Sequence, residues 1–159
     1  MEYAPSPRER VRDQVAQYEA TDGREGGTLE GRPVVILTTV GAKTGKIRKT
    51  PLIRIEQDGV FAVVASAAGA PEHPAWYRNL VADPMVRLQD HEQVHLVRAR
   101  EVHGEEKARW WRVAESRWPY FPEYRAKAAD REIPVVVLEP TDHETPARGT
   151  EEPCSDSRG

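Results

Sequence analysis

Residues 38–51 read T-T-V-G-A-K-T-G-K-I-R-K-T-P. An apolar run at 34–37 leads into the stretch, and a second apolar segment, 52–55, leaves it. Short apolar runs on either side of a Gly- and Thr-bearing segment read as strand, turn, strand. Gly41 and Gly45 let the turn visit positive φ and keep side chains away from anything approaching the backbone. Backbone N–H groups in such a turn can converge on an anion. Lys43, Lys46, Arg48 and Lys49 add charge-assisted donors. Two readings stand side by side: a grip for a phosphate or carboxylate, and a solvated hairpin tip of the same composition. A P-loop is excluded, because Gly41 and Gly45 are four residues apart and Ile47 follows Lys46. The G-x-G-x-x-G spacing of a dinucleotide fingerprint is also absent.

Downstream of the turn, residues 48–56 form a second strand, and Pro51 within it predicts a sheet edge or a bulge. Asp58-Gly59 is a hairpin turn into a third strand over 60–66. Residues 67–74, A-A-G-A-P-E-H-P, make a loop; a short helix over 74–82 follows and stops at Asp83-Pro84. Strands at 85–89 and 94–102 come next, then helical segments at 105–117 and 122–129 and a last strand at 133–138. With the first strand at 34–39, this predicts a mainly β protein with inserted helices (α+β) and six strands, mostly antiparallel. A small closed or split antiparallel barrel holds such content without open edges. Upstream, residues 7–20 read as a helix with Val11, Val15 and Tyr18 on one stripe. The stripe packs on the domain, with peripheral contact to a membrane or a partner as the alternative. The expected organisation is residues 1–32 as a helix and mobile Gly-rich loop, 33–140 as the barrel, and 141–159 as a disordered polar tail.

A chain of 159 residues is long enough for one domain with a real core. Its net charge of −3 argues against a general nucleic-acid binder. No apolar run approaches membrane-spanning length, and the first residues lack a secretory apolar region. Cys154 is the single cysteine, so neither an intramolecular disulfide nor a cysteine zinc cage is expected. A cytoplasmic protein fits. The five histidines follow no metal-ligand spacing, so no metal is expected. Ser66 lies in V-A-S-A-A, not in a G-x-S-x-G elbow. Trp110, Trp111, Trp118, Tyr120, Phe121 and Tyr124 cluster near the C-terminal end. Pro119 and Pro122 break the helical run there, which points several rings at a surface groove for a planar ligand; burial in the core is the other reading.

Three blocks together resemble a known family: V-I-L-T-T-V-G-A-K-T-G-K-I-R-K-T-P-L at 35–52, V-V-A-S-A-A-G-A-P-E-H-P-A-W-Y-R-N-L at 63–80, and I-P-V-V-V-L-E-P at 133–140. They are similar to the deazaflavin (coenzyme F420)-dependent nitroreductase and quinone reductase family, over about residues 33–140. The resemblance implies a split β-barrel of the flavin-binding type. It implies hydride transfer from reduced coenzyme F420, an 8-hydroxy-5-deazaflavin, to a quinone, nitroaromatic or similar electrophile. By the same resemblance, Ala42, Lys43 and Thr44 hold the coenzyme phosphate. Arg48, Lys49, Thr50, Pro51, Leu52 and Ile53 run along the ring and its ribityl chain. Val64, Ala65, Ser66 and Ala67 supply backbone donors near the ring. Ala75, Trp76, Tyr77, Arg78 and Asn79 form a helical wall, with Asn79 bonding the ligand. Trp118, Phe121 and Tyr124 occupy positions where relatives carry acceptor-pocket tyrosines. The first two would stack the acceptor, Phe121 also touching the coenzyme; Tyr124 and Ser66 are the candidate hydrogen-bond donors. The alternatives are a flavin mononucleotide oxidoreductase on the same barrel, a non-catalytic deazaflavin carrier, and a peptide-binding module.

Overall fold

The computed structural model describes residues 2–141; the expected tail beyond Thr141, with Cys154, lies outside the described residues. Strand β1 (Thr28–Leu29) leads into β2 (Arg32–Val40), and the basic turn joins β2 to β3 (Ile47–Ile53). The β2–β3 ladder is antiparallel from Val34 opposite Ile53 to Val40 opposite Ile47. Among the named strands β3 pairs with β2 alone, so Pro51, which has no N–H to give, sits on an edge as the sequence predicts. At Arg54 the chain breaks away, its N–H donating to the Pro33 carbonyl at 2.9 Å. The next residues form β4 (Ile55–Gln57), which pairs with β5 (Val60–Val64) across Asp58-Gly59, both at positive φ. Strands β6 (Met85–Asp90) and β7 (Gln93–Val102) form a hairpin, and β8 (Val135–Pro140) lies between β7 and β5.

The sheet therefore runs β3-β2-β6-β7-β8-β5-β4. Its first and last members are consecutive stretches of one chain, so the sheet curls round on itself. Here the expected six strands become eight. The break at Arg54 divides one expected strand into β3 and β4. The short β1 adds another, turned back onto β2 by Glu30 and Gly31, both at positive φ.

Alternation along the strands sorts the side chains. Val35, Leu37, Phe61, Val63, Val86, Leu88, Val97, Val136 and Leu138 form one core, capped by Trp76 and Leu80 of α2 (Ala75–Ala82). On the opposite face Ala62, Val64, Val135 and Val137 are covered by α3 (Gly104–Arg117) and α4 (Phe121–Ala128). Trp111, Ala114 and Trp118 carry the buried stripe there, whereas Ala108, one turn earlier, is exposed. Val15 and Tyr18 of α1 (Glu9–Thr21) cover Val34 and Ile36. Tyr18 is fully buried; its hydroxyl accepts the His91 N–H at 2.7 Å, and burial pushes its pKa up to about 12. No helix among the described residues is long and apolar enough to cross a membrane.

Candidate active site

The basic turn is fastened from two directions. The Gly41 N–H donates to the Lys46 carbonyl at 2.7 Å, and the Gly45 N–H to the Gly41 carbonyl at 2.9 Å. A Cβ at Gly41 would lie 2.7 Å from Thr44 Oγ1 and 3.3 Å from the Lys46 carbonyl, so a side chain there would displace the Thr44 hydroxyl and crowd the turn. From α2, Asn79 Oδ1 accepts the Ala42 N–H at 2.9 Å while its Nδ2 donates to Thr39 Oγ1 at 3.0 Å. Asn79 is buried, and both ends of its amide are engaged in holding turn, strand and helix together. Between turn and helix lies a cleft of about 270 Å³, lined by Gly41, Ala42, Lys43, Thr44, Arg48 and Thr50 on one side and Ala75, Trp76, Arg78 and Asn79 on the other. Its lining holds three cations, Lys43, Arg48 and Arg78, and no carboxylate, so it favours an anion.

A second cleft of about 160 Å³ draws on the same strand, since Thr50 of β3 lines the first and Pro51 the second. It is lined by Leu29, Pro51, Leu52, Ile53, Ile55, Val64, Ser66, Ala68, Trp118, Phe121 and Tyr124. Trp118 and Phe121 are only 5% and 4% exposed. The prolines do not turn these rings outward. Pro122 lies in the first turn of α4, and the Phe121 ring centre lies 6.0 Å from that of Trp111. Trp118 Nε1 donates to Tyr124 Oη at 3.3 Å. An indole only donates, so this contact leaves the Tyr124 proton unspent.

A family model described as F420H(2)-dependent quinone reductase matches residues 10–140, from the first turn of α1 to the end of β8. The chain belongs to that family. An F420H(2)-dependent quinone reductase of Mycobacterium tuberculosis is 36% identical over 127 residues, covering 77% of this chain and 85% of that protein. The solved structure of an F420-H2-dependent reductase, FDR-A, is 48% identical, with a TM-score of 0.63 over 68% of this chain and 95% of its own. A second solved relative, described as a domain-swapped dimer, is 43% identical, with a TM-score of 0.65 over 84% of this chain and all of its own. Coenzyme F420 is thus the cofactor of this chain's family, and a small-molecule quinone the acceptor.

Not every residue carried over for an F420H(2)-dependent quinone reductase meets at the clefts. Lys49 points away from Arg48 and Thr50, as strand alternation requires. Its Nζ pairs with Glu19 of α1 and lies 5.0 Å from the Tyr3 ring centre. Tyr77 faces β7, where it donates to Glu101; burial and that carboxylate push its pKa up to about 12. Ala65 is fully buried, its N–H donating to the Pro134 carbonyl at 2.9 Å. After it, Ser66 is right-handed helical, while Ala67, Ala68 and Gly69 have φ of 48°, 54° and 82°. A left-handed alanine costs roughly 1–2 kcal/mol, so this turn is held by its surroundings. Sequence reading missed Ala68, Leu29 and Ile55 in the cleft lining, and it missed Arg131, whose guanidinium binds the turn's carbonyls. Nothing in the sequence pattern marks Arg131.

Proposed function

We propose that the two clefts form one coenzyme site, with the F420 phosphate at the basic turn and the ring beside Pro51, Leu52 and Ile53, and that the acceptors include nitroaromatics and similar electrophiles besides quinones. The observation that carries this reading is that the edge strand β3 lends residues to both clefts, Arg48 and Thr50 to a carboxylate-free cationic one and Pro51, Leu52 and Ile53 to an apolar one. The tight turn at Gly41 fits the same ligand, since a side chain there would push aside the Thr44 hydroxyl at the cleft wall. The coenzyme-binding unit is residues 33–140, a split barrel of the flavin-binding type, with Leu29 added from the N-terminal segment.

When bound, reduced F420 supplies a hydride, and the carbon in place of the flavin N5 disfavours single-electron transfer. The chain's own task is to hold and orient. Lys43 and Arg48 neutralise the phosphate. The succession of right- and left-handed residues at Ser66 and Ala67 is one that turns neighbouring N–H groups toward one point, here the polar edge of the ring. The acceptor must come within about 3–3.5 Å of the donor carbon, and Trp118 and Phe121 keep water from that space. Tyr124 donates to the negative charge that develops on the acceptor. Ser66, at the cleft wall, is the second donor. The test is fluorescence titration of the purified chain with oxidised F420 and with flavin mononucleotide, followed by oxidation of reduced F420 by menadione. Preferential F420 binding with turnover is expected. Equal or tighter binding of flavin mononucleotide would overturn the coenzyme assignment, and tight F420 binding without turnover would make the chain a carrier.

A further inference from the structure

Arg131 lines neither of the two clefts. It follows α4 and precedes β8, and its guanidinium is committed to one loop. Nε donates to the Ala70 carbonyl at 2.9 Å, Nη1 to the Ala65 carbonyl at 3.0 Å, and Nη2 to the Ser66 carbonyl at 2.6 Å. Nη1 also lies 2.8 Å from His73 Nδ1. Guanidinium has no acceptor, so Nδ1 must carry a lone pair and His73 is neutral in this arrangement. The three carbonyls bracket the left-handed run Ala67–Gly69, which has little local preference for its conformation. A planar fork with several fixed N–H directions spread over three nitrogens suits three separated carbonyls, which a single ammonium nitrogen reaches less readily.

We propose that Arg131 is a positioning residue for hydride transfer, holding the turn at 66–69 so that its backbone donors face the apolar cleft, and that neutral His73 keeps Arg131 in place. The inference rests on the reading of the two clefts as one F420 site. His73 is surrounded by groups from several elements. Tyr77, 4.8 Å away by ring centres, and Arg78 come from α2, Glu101 from β7, Lys107 from α3, and Glu72, Asp130 and Glu132 from the adjoining loops. Burial and the Arg131 charge hold His73 below the ordinary histidine value, against the pull of Glu101 and with further help from Arg78. The contact is therefore intact at neutral pH. It is lost on acidification below the ordinary value of about 6.5, when a proton on Nδ1 removes the acceptor and faces the guanidinium with a like charge.

The experiment is fluorescence titration of the full chain with oxidised F420 between pH 7.5 and 5. Arg131→Ala is expected to lose affinity about tenfold or more, the scale of a hydrogen bond to a charged group, with part of it restored by added methylguanidinium. Arg131→Lys keeps the charge without the fork and is expected to bind nearly as weakly, which covers the case of an alanine variant that does not fold. Wild-type affinity is expected to fall with acid. His73→Asn supplies an acceptor that does not titrate, and its affinity should fall less over the same range. Wild-type affinity in both Arg131 variants would overturn the inference, and an unchanged acid limb in His73→Asn would overturn the role of the histidine. A wild-type chain that binds no F420 at any of these pH values would overturn the coenzyme-site reading and this inference with it.

Discussion

Lys43 is exposed on the turn and lines the cationic cleft, while its neighbours on the same stretch are spent elsewhere, Lys46 near Glu2 and Lys49 on Glu19. A lysine–phosphate contact is a hydrogen bond to a charged group, worth about 1.5–3 kcal/mol. Lys43→Ala should therefore weaken F420 binding about tenfold to a hundredfold, with a smaller effect at high salt. Lys46→Ala and Lys49→Ala are the controls; if either matches Lys43→Ala in a titration at low salt, the phosphate lies elsewhere. Tyr124 is the other residue whose role is separable. Its oxygen accepts from Trp118, a contact that leaves its proton uncommitted, and the proposed site assigns that proton to the acceptor. A donor that acts only as charge develops affects rate more than binding. Removal of one preorganised donor costs roughly 10²–10³ in rate, and water entering the cleft would reduce that. Tyr124→Phe should lower kcat with menadione by about tenfold or more, with coenzyme affinity nearly unchanged. Stopped-flow oxidation of bound reduced coenzyme reads this directly, and a wild-type rate would remove Tyr124 from the mechanism.

Among the elements, α4 and the turn after β5 depend on each other most closely. A Cβ at Gly69 would lie 2.9 Å from Lys127 Cβ and 3.0 Å from the Tyr124 carbonyl, where neither neighbour is a flexible chain end. Its φ of 82° adds strain for any other residue. Gly69→Ala should cost roughly 1–2 kcal/mol for the left-handed backbone and about 1–3 kcal/mol more for overpacking. Because α4 carries Tyr124, quinone turnover should fall along with the melting temperature. Gly59→Ala is the comparison: its φ is 84°, but nothing lies within 4 Å of the added carbon. It should show the backbone cost alone, and equal melting temperatures for the two variants would mean that α4 yields freely. The aromatic run before β8 shows how an element can mislead. Its prolines suggested rings lining a surface groove; Trp118, Phe121 and Tyr124 do line a cleft, but Trp118 and Phe121 are nearly buried, because Pro122 is a good first-turn residue of a helix that packs on the sheet.

For the molecule as a whole, the kink between β3 and β4 carries the chain from one end of the curled sheet to the other. Arg54, at the kink, binds Asp90 at the end of β6 through two bonds of 3.0 Å, and His91 Nδ1 lies 3.1 Å from the same carboxylate. Burial by itself would raise the Asp90 pKa. The hydrogen bonds from Arg54 and His91, with their charges, outweigh it and hold the carboxyl below its ordinary value. A depressed carboxyl stabilises the fold at every pH above its unfolded value of about 3.9, and this contribution is lost as pH falls through the lower folded value. Asp90→Asn should therefore lower the melting temperature at neutral pH and flatten its fall below about pH 4. An acid limb as steep as wild type would mean that other carboxylates dominate it.

The sequence by itself determined the strand-forming segments, the edge position of Pro51, the basic turn and the family, because these are written in local periodicity, in glycine and proline chemistry, and in long contiguous blocks. It also determined the stripe of α1, since Val15 and Tyr18 recur at helical spacing and find Val34 and Ile36. Only the tertiary structure decided that the second strand breaks at Arg54, where the chain leaves β2 after a last bond to Pro33 and the side chain is held by Asp90 of β6. Tertiary structure likewise decided that Lys49 serves α1, that Tyr77 serves β7, and that Asn79 fastens the turn. It also gave Arg131 to the loop at 65–70, although 61 to 66 positions separate it from the carbonyls it binds. The physical reason is the same in each case. Periodicity fixes which face a side chain occupies, but a hydrogen bond or ion pair needs a partner brought within about 3 Å, and that distance exists only once the sheet has curled.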